Sequence, residues 1–369
     1  MYKRLPLTIF VLTLLSGTFL NRQGVYGQDS YWNNRAFESN YHYGYIWAHR
    51  PRVEHLTTGH TQGFEISLQT QSDGSKWWHR LHHYPQTGIS LMYFDLANHE
   101  VVGNAAAAVG FINFPLLRSD GFQFSLQSGA GLGYLTKKFD PVTDHKNMGI
   151  GSHLNAAIRF GFQTRWQVSK KIFLHLDYDI THFSNTAYRL PNLGINNISL
   201  SGGISYHFHD PEKFQVQDIP PLEKKWMIEV VYGTGVKENF PPDGKQYFAH
   251  TVYFQALRLF SQKSRLAAGA DVFYDLSLFR FIDDAVSNSE KRIKVIRGGV
   301  HFGYEMQVNH FSLLVHMGYY LLDQTKIDGQ FYHRYGLKYN LGRHCFINLS
   351  LKTHWARADY AELGLGWKM

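Results

Sequence analysis

Residues 172–180 read IFLHLDYDI, with Ile172, Leu174, Leu176, Tyr178 and Ile180 at even positions and His175, Asp177 and Asp179 at odd ones. Successive side chains of a strand point to opposite faces, so this alternation puts one face in an apolar medium and the other in a polar one. The same period recurs in FQFSLQSGAGLGY (122–134), ISLSGGISYHF (198–208) and VIRGGVHFGY (295–304). About eight such segments lie between residues 36 and 208, and about eight more between 226 and 369. With 16% aromatic residues but a mean hydropathy of −0.30, the chain is aromatic-rich without being hydrophobic on average, which excludes a helical membrane bundle. Long alternating strands with Tyr and Phe near their ends, and glycine where strands crowd, predict an all-β fold, a transmembrane antiparallel β-barrel. A soluble sandwich would need shorter strands and an apolar interior, whereas the second face here carries Gln123, Gln127, His175, Asp177 and Asp179.

Such a barrel must be exported. Lys3 and Arg4, an apolar run over 5–20, and Val25-Tyr26-Gly27 before Gln28 read as a removed signal peptide, residues 1–27. The single cysteine, Cys345, excludes an internal disulfide, and no thiolate metal site is visible. The net charge of +8 is spread along the chain, and in an exported protein nucleic acid is the least expected partner. The reading is therefore a membrane protein of the outer membrane of a Gram-negative bacterium.

In such barrels one rim carries short turns and the outside rim long loops. If the chain enters from the periplasm, the long stretches 48–60, 137–148 and 183–195 face outside, and 118–121 and 168–171 are tight inner turns. Two connections break the rule: 71–87 is long where a turn is expected, and 97–100 is short where a loop is expected. The second half fits better, with tight turns at 261–264, 308–309 and 342–344 and longer loops at 278–292 and 323–330. Residues 209–225, HDPEKFQVQDIPPLEKK, lack alternation and contain a double proline, so they read as a linker between a first region, 28–208, and a second, 226–369. FLHLDYDITHFSN (173–185) returns as FINLSLKTHWARAD (346–359), a distant duplication. Tandem eight-stranded barrels and one barrel of about sixteen strands both remain open.

The chemistry follows from the faces. His182 and Ser184 continue the even, lipid-facing row of 172–184 to its upper rim, with α-carbons about 6.6 Å apart by strand rise. The parity of Ile198, Leu200 and Ile204, extended backwards, puts Asn196 on the same face. A serine, an imidazole to take its proton, and a third group to orient the imidazole make an activated nucleophile.

His182-Phe183-Ser184-Asn185 followed by Pro191-Asn192-Leu193-Gly194-Ile195-Asn196 resembles the C-terminal signature of the PagL-type lipid A deacylases, or acyloxyacyl hydrolases, over about residues 36–208. That family comprises eight-stranded outer-membrane barrels that remove an ester-linked acyl chain from lipid A. The resemblance implies Ser184 as nucleophile, His182 as general base, Asn185 at the oxyanion site, and lipopolysaccharide as partner, with no cofactor. Lys137, Lys138 and Arg189, in outer loops, are candidates to meet lipid A phosphates. Asn196 stands where the deacylase pattern has a glutamate. An asparagine third member beside His-x-Ser resembles outer-membrane phospholipase A, a twelve-stranded family that implies calcium and a homodimer. A structural or pore-forming barrel is the non-enzymatic alternative.

The second half supplies a control. Its segment 346–354 is one residue shorter than 173–182, and a one-residue change reverses every face beyond it. With Ile347, Leu349 and Leu351 outward, His354 turns inward and Ala356 replaces the serine, so this repeat is expected to be inactive.

Overall fold

A computed structural model describes residues 33–210, 214–242, 244–355 and 357–369; the expected signal segment and Ala356 lie outside them. Each alternating segment forms a strand. β1 (Arg35–Ile46), β2 (His60–Gln71), β3 (Gln86–Asp95), β4 (Asn104–Ser119), β5 (Phe122–Leu135), β6 (Leu154–Gln167), β7 (Ile172–Ser184) and β8 (Ile195–His207) pair in sequence order into a closed antiparallel barrel. β9 (Trp226–Glu238), β10 (Gln246–Ser261), β11 (Ser264–Asp275), β12 (Ile296–Val308), β13 (Phe311–Leu322), β14 (Phe331–Asn340), β15 (Cys345–His354) and β16 (Arg357–Lys368) form a second. The choice between one barrel and two is decided by the closing seams: β8 returns to β1 from Ala36↔His207 to Ile46↔Asn197, and β16 returns to β9.

The walls obey the alternation. Phe64, Tyr178, Leu200, Phe254 and Leu365 are exposed on the outside, a surface suited to hydrocarbon. Inside, side chains fill the lumen, as the small diameter of eight strands allows. Arg159 meets Glu65 at 2.7 Å and Asp179 at 3.2 Å in the first barrel. In the second, Arg334 meets Asp271 at 2.8 Å and Glu362 at 3.0 Å, while Lys338 bridges Glu229 and Glu305.

Toward the rim with the long loops, here called the upper rim, the first lumen becomes apolar. Phe94, Val109, Leu135, Ala157 and Phe183 pack there with Val53, Leu56 and Ile150 from the loops. Phe183 lies between His182 and Ser184 in sequence and is fully buried, so its burial fixes the parity that turns both neighbours to the opposite face. Gly133 makes room for it: a Cβ there would stand 2.6 Å from the Phe183 ring.

The two irregular connections have different explanations. The short upper one, residues 96–103, is a tight turn in which Asn98 O accepts from both Val102 N and Gly103 N. The long lower one, residues 72–85, contains a short helix, Trp77–Leu81, and grips the segment between the barrels. Gln215 N donates to Asp73 O at 2.7 Å, and Phe214 stacks on Tyr84 with Arg118 over its ring. Burial lowers the His82 imidazole to about 4, and the neutral ring donates to the carbonyl of Gln307 in β12 at 2.9 Å. This connection is long because it is a bracket, which loop-length statistics for a single barrel do not foresee.

Candidate active site

The register of β7 against β8 sets His182 directly opposite Asn196, and side chains of paired residues share a face. His182 Nδ1 stands 2.6 Å from Asn196 Oδ1, and Asn196 Nδ2 stands 2.8 Å from His49 Nδ1. The amide thus donates to His49 and accepts from His182, so the His182 proton sits on Nδ1. Nε2 is left as the bare lone pair that a general base requires. Gly194 completes the seat with φ +82, and a Cβ on it would lie 2.5 Å from His182 Cε1.

Ser184 ends β7 and is only 9% exposed, because residues 185–192 fold back over it. Its Oγ accepts from Asn192 Nδ2 at 3.0 Å and from the backbone N–H of Thr186 at 3.3 Å. With these two acceptor positions used, the hydroxyl proton is what remains to be given away. Among the described residues no hydrogen bond joins His182 Nε2 to Ser184 Oγ; such contacts commonly tighten only when substrate is bound. The sheltering differs from a nucleophile lying bare on the wall. Residues of the covering loop bond to it from one side, and on the β6 side its registered neighbour is Ala156.

The sequence candidates separate here. His182 and Asn196 are hydrogen-bonded at the upper rim, and Ser184 lies two residues further along β7. Asn185 does not aim its amide at Ser184: Nδ2 donates to Ser152 Oγ and to Arg189 O, each at 2.9 Å. Its contribution is indirect, since its backbone N–H donates to Asn192 Oδ1 at 3.0 Å and so turns the Asn192 amide nitrogen toward Ser184. The donors next to the serine are therefore Asn192 and Thr186, a neighbouring part of the same motif. Lys137 and Lys138 follow β5 at the upper rim. Arg189 instead reaches the second barrel, donating from Nη1 to Gly244 O at 3.1 Å.

His49 escaped the sequence reading altogether. It lies in an irregular loop, 147 positions from Asn196, where no periodicity marks a face. It fixes which way the Asn196 amide points, so His49→Leu is expected to lower kcat about tenfold, the worth of one oriented hydrogen bond, with KM unchanged. Steady-state kinetics on detergent-dispersed substrate check this, and unchanged kcat would remove His49 from the site.

The second barrel behaves differently at the corresponding place. A register irregularity between Lys352 and Thr353 accompanies the change of face, and His354 points inward to the Tyr320 hydroxyl at 3.0 Å.

Two family models match the chain, one over each barrel. Residues 62–205 match the family model for lipid A 3-O-deacylase (PagL), and residues 226–369 match that for the acyloxyacyl hydrolase C-terminal domain. The first match contains His182, Ser184 and Asn196 but stops short of His49. Among curated proteins nothing matches. Similar solved structures include the crystal structure of Neisserial surface protein A, 10% identical, covering 48% of this chain and 98% of that one with a TM-score of 0.33. The crystal structure of the outer membrane enzyme PagL is 17% identical, covering 45% of this chain and 97% of that one with a TM-score of 0.31. The family acts in the bacterial outer membrane on lipid A. With one barrel in the deacylase model and the other in its companion domain, the chain belongs to the PagL lipid A 3-O-deacylase family and is an ester hydrolase of that type.

Proposed function

We propose that the protein removes an ester-linked acyl chain from lipid A by serine catalysis at the upper rim of the first barrel. The observation that carries this reading is the hydrogen-bonded series His49–Asn196–His182 beside a serine that already holds two donors. Ser184 Oγ attacks the ester carbonyl carbon while His182 Nε2 takes its proton. The carbonyl oxygen becomes an oxyanion, and Asn192 Nδ2 and the Thr186 N–H move from Oγ to it. As the ester C–O bond breaks, His182 returns the proton to the departing sugar oxygen. Water, deprotonated by the same imidazole, then releases the fatty acid from the serine.

Asn196 orients His182 but cannot neutralise the imidazolium as a carboxylate would, so its part is positional. The acyl chain would lie on the outer wall over Ala156, between the exposed Leu154 and Ile158. Lys137 and Lys138 meet phosphates, whereas Arg189 has committed one nitrogen to Gly244. The second barrel, 226–369, is non-catalytic in this reading, since His354 faces inward. The filled interiors weigh against a pore. No cofactor is used.

Mass spectrometry of lipid A from cells with and without the protein tests the reading. The expected result is lipid A lighter by one ester-linked chain, with amide-linked chains retained and with the same loss in purified assays containing chelator. Preferential, calcium-dependent cleavage of phospholipid would favour the phospholipase alternative and overturn this one.

A further inference from the structure

Outside the site, the upper rim contains a buried carboxylate at a junction between the barrels. Glu238 is the last residue of β9 and only 4% exposed. Its Oε1 accepts from Gly244 N at 2.7 Å within its own barrel, and its Oε2 accepts from Leu190 N at 2.8 Å in the loop that covers Ser184. Its own backbone N–H donates to Ala187 O at 2.9 Å. Glu238 therefore grips the covering loop at two points three residues apart.

The stretch between Ser184 and those points needs holding. Thr186 and Ala187 have φ of 57° and 63°, consecutive left-handed residues without glycine's freedom. Thr186 is one of the two donors to Ser184 Oγ. The other, Asn192, is aimed by Asn185, whose amide nitrogen donates to Arg189 O within the gripped segment. A displacement of residues 187–190 thus reaches both donors.

We propose that Glu238 of the second barrel is a positioning residue for the Ser184 site, so that the non-catalytic barrel holds the oxyanion donors in place. This rests on the serine reading above. Charge-assisted bonds from a carboxylate to two backbone N–H groups are stronger than neutral ones, which suits a grip on strained backbone. Gln246 supplies the contrast: its Nε2 donates to Tyr188 O at 3.2 Å, also across the barrels, but its bond is exposed and touches neither gripped position.

The test uses the full-length protein with Glu238→Ala, Glu238→Gln and Gln246→Ala. Glu238→Ala is expected to lower kcat on lipid A about tenfold with KM within about twofold, as loss of one or two oriented bonds predicts. Glu238→Gln should fall between it and wild type, since the amide keeps one acceptor oxygen. Gln246→Ala should match wild type. Hydrogen exchange at the amides of residues 186–190 should accelerate in Glu238→Ala and not in Gln246→Ala, and this readout holds whatever the substrate. A wild type inactive on lipid A sinks the deacylase reading, and exchange then decides whether Glu238 holds the loop. With wild type active, unchanged kcat in Glu238→Ala, unchanged exchange, or an equal loss in Gln246→Ala overturns the proposal in favour of plain adhesion between barrels.

Discussion

Replacing Ser184 with alanine is expected to lower the rate of lipid A ester hydrolysis by at least about 10³-fold while leaving the barrel folded. The substitution removes the attacking oxygen and the acceptor for Asn192 Nδ2 and Thr186 N, but it disturbs no strand pairing, because the register of Ser184 with Ala156 is made by backbone atoms. Phe183, which anchors that end of the strand in the apolar lumen, is untouched. Fatty acid release by the purified variant gives the rate, and heat-modifiable migration with thermal unfolding reports the fold. Activity equal to wild type would sink the assignment of the site. Activity lost together with folding would show a structural serine instead.

Gly194→Ala is expected to lower kcat about 10²-fold, through position alone. Two effects combine at this residue. Its φ of +82 puts alanine in the left-handed region, at a cost of about 1–2 kcal/mol. The added Cβ would also lie 2.5 Å from His182 Cε1 and 3.3 Å from both ring nitrogens. The ring can yield only by leaving its 2.6 Å bond to Asn196, which removes the tautomer control that makes Nε2 a base. Gly329→Ala separates the two effects, since Gly329 has φ +81 with nothing within 4 Å of an added Cβ. Gly329→Ala should lose similar stability and keep its rate; equal rates in both variants would mean that the imidazole position does not matter.

Local pattern reaches as far as the strands themselves extend. Alternation over 172–184 places His182 and Ser184 on one face, and the structure keeps that face because Thr181 and Phe183, the residues on either side of His182, are buried. The same reasoning turns His354 inward in the second half, where the chain is one residue shorter. Asn196 follows from parity as well, and its registered pairing with His182 brings the amide within hydrogen-bond distance. Asn185 shows the limit of adjacency. It neighbours Ser184 in sequence, yet β7 ends at Ser184, and beyond the strand the backbone turns its amide toward Ser152 and Arg189.

The faces are legible in the order of residues alone: which residues meet lipid, which fill the lumen, and that a histidine, a serine and an asparagine share the rim. A period of two is local, written by each residue's neighbours in the chain, so it survives without knowledge of partners. Folding in three dimensions closes β8 on β1, so that there are two barrels rather than one. It also brought His49 to Asn196, laid Asn192 over Ser184, and set Glu238 of the second barrel under the covering loop. Those contacts join irregular backbone or residues far apart in the chain. Closure and loop packing are properties of the whole surface, which no periodicity along one segment encodes.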